Sequence, residues 1–177
     1  PHELRLGILR HDITKGLKHA YEEGYNLNVE YLAKSFDVRF WRLLFDPRIH
    51  LGASINLLMH GTHQFYTGLT WHAALNDLFF LELSFGGEIH NAPLKTKTVN
   101  QQALGTRVLF RESASFGFYI GDHYTFSLFV DHASNGALVA PNPGLTSVGI
   151  RLGYRFTETA PDQPNGVVLP DGACETQ

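Results

Sequence analysis

The stretch FVDHASNGALVAPNPGLTSVGIRLGYRF, residues 129–156, holds two apolar runs of period two around a polar, proline-bearing break. Followed backward, the first run reads Tyr124, Phe126, Leu128 and Val130; the second reads Val148, Ile150, Leu152, Tyr154 and Phe156. Alternation of this kind marks a strand with one apolar face. The first stripe does not end at Val130. Its next members are His132 and Ser134, a base and a nucleophile on a greasy face.

Working outward, the same period recurs in about eight segments bounded by Gly, Asn, Asp and Pro. Leu4, Leu6 and Ile8 form one face; Leu27, Val29 and Tyr31 another; Ile49 to Leu57 a third; Phe65, Leu69 and Trp71 a fourth; Phe79 to Phe85 a fifth. Leu104, Val108, Phe110, Phe116 and Phe118 make up the sixth. Helical spacing is confined to residues 14–24 and 36–45. The expectation is an all-β chain.

The opposite parity carries Glu3, Arg5, Glu30, Arg48, His50, Glu82, Glu88, Arg107, Arg111, Arg151 and Arg155, interspersed with glycines such as Gly52, Gly68, Gly86 and Gly149. Small residues and opposite charges share one face. Eight strands closed into a barrel leave an interior just wide enough for side chains, and outer-membrane barrels turn the apolar face to lipid. Glycines would relieve crowding in such a lumen, and carboxylates would neutralise guanidinia there. The expected fold is therefore an eight-stranded antiparallel outer-membrane β-barrel with an apolar exterior and a polar, charged lumen, over residues 1–156. A soluble barrel needs the reverse arrangement, and period two alone does not say which face is inside.

Composition narrows the function. Seventeen acidic against fourteen basic side chains give a net charge of −3 in 177 residues, with no Lys/Arg cluster for tracking phosphates, so nucleic acid is a poor partner. The lone cysteine, Cys174, excludes an intrachain disulfide and reads as an incidental thiol. No apolar run approaches the roughly 20 residues of a membrane-spanning helix, which leaves a strand barrel open. The chain opens on Pro1, as either a mature product freed of its signal peptide or a trimmed chain would.

Connection lengths set the orientation. Short turns near 75–77 and 121–123 suit the periplasmic side, whereas 13–25, 89–102 and 135–145 are longer, as outward loops are. The misfit is residues 35–46, long where a short turn belongs; Phe36, Phe40, Trp41 and Phe45 suit either an interfacial helix or a cover over the barrel end. Residues 157–177, rich in Pro and Gly, lack a core-forming pattern and are expected to form a tail that docks a protein partner or another copy.

His132 and Ser134 share parity and so stand near each other on one strand face. A serine becomes nucleophilic when an imidazole accepts its proton, and nearby donors must then hold the oxyanion. Asn135 and Gly136, where the strand breaks, are candidates for those donors. On spacing alone, however, two polar residues at a strand end more often mark the membrane interface than a catalytic site.

Here a resemblance bears on the reading. The stretch DHASNG…NPGLTSVGIRLGYRF, with HELRLGILRHDI, LFFLELSFGGEIHN and ALGTRVLFRESASFGF, resembles the lipid A 3-O-deacylase (PagL), or acyloxyacyl hydrolase, family across residues 2–156. The resemblance implies an eight-stranded outer-membrane barrel with a Ser-His-acid triad on its outer wall. His132 would be the base, Ser134 the nucleophile, Asn135 and Gly136 the oxyanion region, and lipid A of the outer leaflet the substrate. The family pattern places a glutamate twelve residues after the serine, and this chain has Thr146 there. A threonine does not stabilise an imidazolium as a carboxylate does; loss of that carboxylate costs about 10⁴ in turnover in serine proteases. Asn142 is an available orienter, while Asp131 has the parity of the lumen.

No metal or cofactor is expected: His60 and His63, with His72 further on, have no accompanying carboxylate or cysteine cluster, and SFGGEIH has no helix after it to cradle phosphate. Three readings follow: an esterase acting on lipid A, a structural PagL-like barrel that anchors a membrane assembly through its tail, and a soluble ligand-binding barrel.

Overall fold

The structure is a computed structural model that describes residues 1–13, 22, 24–58, 60–96, 98 and 101–156. The expected tail at 157–177 and most of the helically spaced segment 14–24 lie outside the described residues. Eight strands follow one another in chain order: β1 (Glu3–Arg10), β2 (Tyr25–Leu32), β3 (Arg48–Asn56), β4 (Gln64–Ala74), β5 (Phe79–His90), β6 (Val108–Ile120), β7 (Tyr124–Ser134) and β8 (Leu145–Arg155). Each pairs antiparallel with the next, and β1 pairs with β8, so the sheet closes into a barrel with no free edge.

The two parities separate across the wall. Leu6, Ile8, Leu83, Phe85, Leu128, Ile150 and Leu152 are all exposed on the outside. Glu3, Arg5, Glu30, Glu82, Glu88, Arg111, Asp131 and Arg151 are buried inside. A soluble barrel of this composition would strand its charges in a dry interior and its aliphatic residues in water, so the described faces match a lipid-facing wall. The lumen satisfies its charges by pairing. Arg5 spans Glu3 and Glu82 at 2.8 and 2.7 Å, and Arg151 holds Glu30 at 3.0 Å. Arg111 bonds Asp131 at 2.8 Å and lies 3.7 Å above the Tyr66 ring. Gly52 is required beside this stack, because a Cβ there would run into the Tyr66 ring.

Two assignments made from periodicity change. Leu104 and Arg107 were expected in the sixth strand, but β6 begins at Val108 and both lie in the connection before it. Leu104 instead joins Ala92, Leu109, Ala133 and Leu145 in a small buried apolar cluster at one end of the barrel. Arg107 donates to the carbonyls of His90 and Ala92 rather than to a lumen carboxylate. The reason is local: the positive φ of Gly105, with its N–H bonded to Leu94 O, turns the chain before the ladder starts, so the parity of 104–107 carries no facial meaning.

The short turns at 75–78 and 121–123 share one end of the barrel with the 33–47 connection, and the longer connections 91–107 and 135–144 share the other. The 33–47 connection contains a short helix, α1 (Arg39–Leu43), with no buried residue. Phe40, Leu43 and Phe45 around it are exposed. The indole N–H of the outward-facing Trp71 donates to Leu44 O at 2.7 Å, which holds the segment against the outer wall rather than across the barrel mouth.

Candidate functional site

β7 rises to the long-loop end and delivers His132 and Ser134 at its last outward positions, both half-buried. Register places three outward side chains in one row: Thr146 on β8, His132 on β7 and Glu112 on β6. The row above it holds Ser134 opposite Phe110. Beneath lies the row Val148, Val130, Ala114, Leu83, Trp71.

Within the upper rows the imidazole is held from one side. His132 Nδ1 and Thr146 Oγ1 are 2.8 Å apart, so the threonine occupies the place beside the ring that an orienting residue needs. Gly144, at the end of the β7–β8 connection, closes the other edge. A Cβ on it would sit 2.7 Å from His132 Cε1 and 3.2 Å from Nε2, and its φ of +68 favours glycine independently. Sequence reading missed Gly144; its only signal was a glycine next to a proline-bearing break.

The expected oxyanion residues divide. Gly136 N–H donates to Ser134 Oγ at 3.4 Å. Asn135 is buried, and its side-chain amide donates to the carbonyls of Leu104, Val139 and Pro141, which ties the β7–β8 connection to the β5–β6 connection. Its backbone N–H is taken by Asn142 Oδ1 at 2.9 Å. Asn142 therefore braces the loop and not the imidazole. Asp131 points inward to Arg111, as its parity required.

Immediately below His132 the wall is dimpled. A groove of about 690 Å³ runs over Val130, Val148, Ala114, Leu83 and Phe116 and ends at Trp71 and Phe45. The small Ala114 sets its floor, and the segment after α1 sets its far end. The groove's upper members, Val130 and Val148, lie one row below His132 and Thr146, and its apolar walls suit a long hydrocarbon chain. No group of three or more His, Cys, Asp or Glu side chains able to hold a metal occurs among the described residues.

The family model described as Lipid A 3-O-deacylase (PagL) matches residues 21–155. The crystal structure of the outer membrane enzyme PagL superposes with a TM-score of 0.64 at 15% identity, covering 87% of this chain and 99% of that one. The attachment invasion locus protein Ail of Yersinia pestis, crystallised with the heparin analogue sucrose octasulfate, superposes with a TM-score of 0.53 at 11% identity, covering 88% of this chain and 97% of Ail. At these identities the two superpositions establish the shared barrel alone. No curated protein sequence matches the chain.

Proposed function

The chain belongs to the lipid A 3-O-deacylase (PagL) family and is an outer-membrane β-barrel, and from that premise we propose that it cleaves an acyl ester of outer-leaflet lipid A with Ser134 as nucleophile. One observation supports this reading above the others: His132 and Ser134 stand together on the lipid-facing wall, directly over the apolar groove. A structural barrel has no need of a fixed imidazole there.

In the proposed reaction the acyl chain lies along Ala114 and Val130, which brings its ester carbonyl to the rim. Ser134 Oγ forms a bond to the carbonyl carbon while its proton passes to His132. The Gly136 N–H, which donates to Ser134 Oγ in the resting structure, is the donor assigned to the oxygen that gains charge. Collapse breaks the bond to the sugar oxygen, which takes the proton from His132, and the acyl group remains on Ser134. Water then attacks this acyl-serine with His132 again as base, releasing a fatty acid and restoring the serine. Thr146 keeps the imidazole in register throughout by its hydrogen bond to Nδ1. That bond orients the ring but supplies no charge.

The test is mass spectrometry of lipid A incubated with the detergent-purified protein and with its Ser134→Ala and His132→Asn variants. Loss of one acyl chain with the parent, and with neither variant, is the expected result. Parent and Ser134→Ala at the same background would instead favour the structural barrel.

A further inference from the structure

The outward strand positions of this barrel carry two charged side chains, Arg10 at the rim of β1 and Glu112 within β6. Glu112 has Val108 and Phe110 above it on the same face and Ala114 and Phe116 below. A carboxylate inside an apolar band is costly, and in a membrane protein it marks a functional position by default. Its cross-strand partner on one side is Phe85, which offers it nothing polar. On the other side it is His132.

Directly opposed residues of an antiparallel pair hold their Cβ atoms about 4.5–5.5 Å apart. Thr146 and Glu112 thus flank the imidazole from the two strands on either side of it. The first makes a hydrogen bond and carries no charge; the second is a carboxylate on the exposed outer face.

Building on the hydrolase reading above, we propose that Glu112 is the positioning residue that supplies the negative charge absent at Thr146, stabilising the imidazolium formed when His132 takes the proton of Ser134. The work of one acidic triad member is divided here between two strands: orientation comes from β8 and charge from β6. Other charged groups nearby are accounted for. Asp131, adjacent on β7, faces inward and is neutralised by Arg111; Arg107 is engaged with the carbonyls of His90 and Ala92. Arg10 is paired in register with Val148, one row below Thr146, so it stands beyond β8 on the side of the ring away from Glu112.

A charge that matters only once the imidazolium exists acts on the transition state and not on substrate binding, so its removal lowers kcat with little change in KM. The decisive set is the full-length protein in detergent with Glu112→Gln, Glu112→Asp, Thr146→Glu and the double variant Glu112→Gln/Thr146→Glu, assayed on lipid A with Ser134→Ala as control. Heat-dependent gel migration reports folding of each. Glu112→Gln removes a charge from a lipid-facing wall and so leaves the barrel folded. The expected results are a fall in kcat of about tenfold or more for Glu112→Gln, retention of most activity by Glu112→Asp, and a much smaller effect of Glu112→Gln once Thr146→Glu provides the charge. Unchanged kcat in Glu112→Gln overturns the inference, as does an equal loss in both backgrounds. Activity that depends on Ser134 but ignores Glu112 sinks this inference alone, whereas equal background for parent and Ser134→Ala sinks the hydrolase reading with it.

Discussion

At Gly144 the requirements of backbone and chemistry meet in one residue. Its φ of +68 would cost a substituted side chain about 1–3 kcal/mol of strain. The added Cβ would also press on the Cε1–Nε2 edge of His132, the edge that receives the proton of Ser134 in the reaction proposed above. We expect Gly144→Ala to fold as a barrel, since the site lies at the end of a loop, while its turnover on lipid A falls about 10²-fold, the usual cost of roughly 1 Å of misplacement. A variant that folds and keeps parental turnover would show that the ring position is not set here. Legibility at this scale was uneven for a physical reason. His132 and Ser134 were readable as neighbours on one face because they lie in a local period-two pattern, whereas a catalytic role for them, and Thr146 as the third position, came only from the resemblance to the family pattern. Glu112 and Gly144 were not readable, because their importance depends on which strands and loops abut His132, and that is non-local. Asn142, by contrast, had the right chemistry to orient an imidazole but is held by Asn135 N–H instead.

Among the elements, the β4–β8 wall and the segment after α1 together define the groove. Ala114 matters because its neighbours in the row are Val130 and Leu83, and only its small side chain leaves depth between them. Ala114→Leu should fill that depth without disturbing Ser134, His132 or the barrel seam. The expected outcome is a rise in KM for long acyl esters with little change for short ones, read by comparing soluble p-nitrophenyl esters of increasing chain length. Equal effects on both would mean that the acyl chain runs elsewhere. The strand content of this wall was legible because turns and alternation are written locally. The β5–β6 connection was not. Leu104 and Arg107 continue the parity of β6 by coincidence, and they are placed by Gly105 and by the buried cluster with Ala92 and Leu145. Residues 35–46, ambiguous in sequence, are resolved by a tertiary bond from Trp71 to Leu44 O.

For the whole molecule, the inside-out distribution of polarity makes opposite predictions for the two faces of the wall. On the lipid side, Ile150 lies near the middle of β8, exposed and flanked by Ile8 and Leu128. Arginine there should destabilise the folded barrel by about 2–4 kcal/mol in lipid bilayers, since the guanidinium would enter hydrocarbon near the midplane. On the lumen side the same residue type is indispensable. Arg5 is buried and joins Glu3, Glu30 and Glu82, which come from three different strands. Arg5→Met keeps much of the volume but leaves like charges facing one another in a dry interior, at a cost of about 3–5 kcal/mol. Urea unfolding of the barrel in phospholipid vesicles measures both. A soluble barrel of the same topology would respond in reverse, because arginine at position 150 would then reach water freely. If Ile150→Arg is neutral while Arg5→Met is costly, the charged lumen stands but the outer wall does not face lipid at that depth.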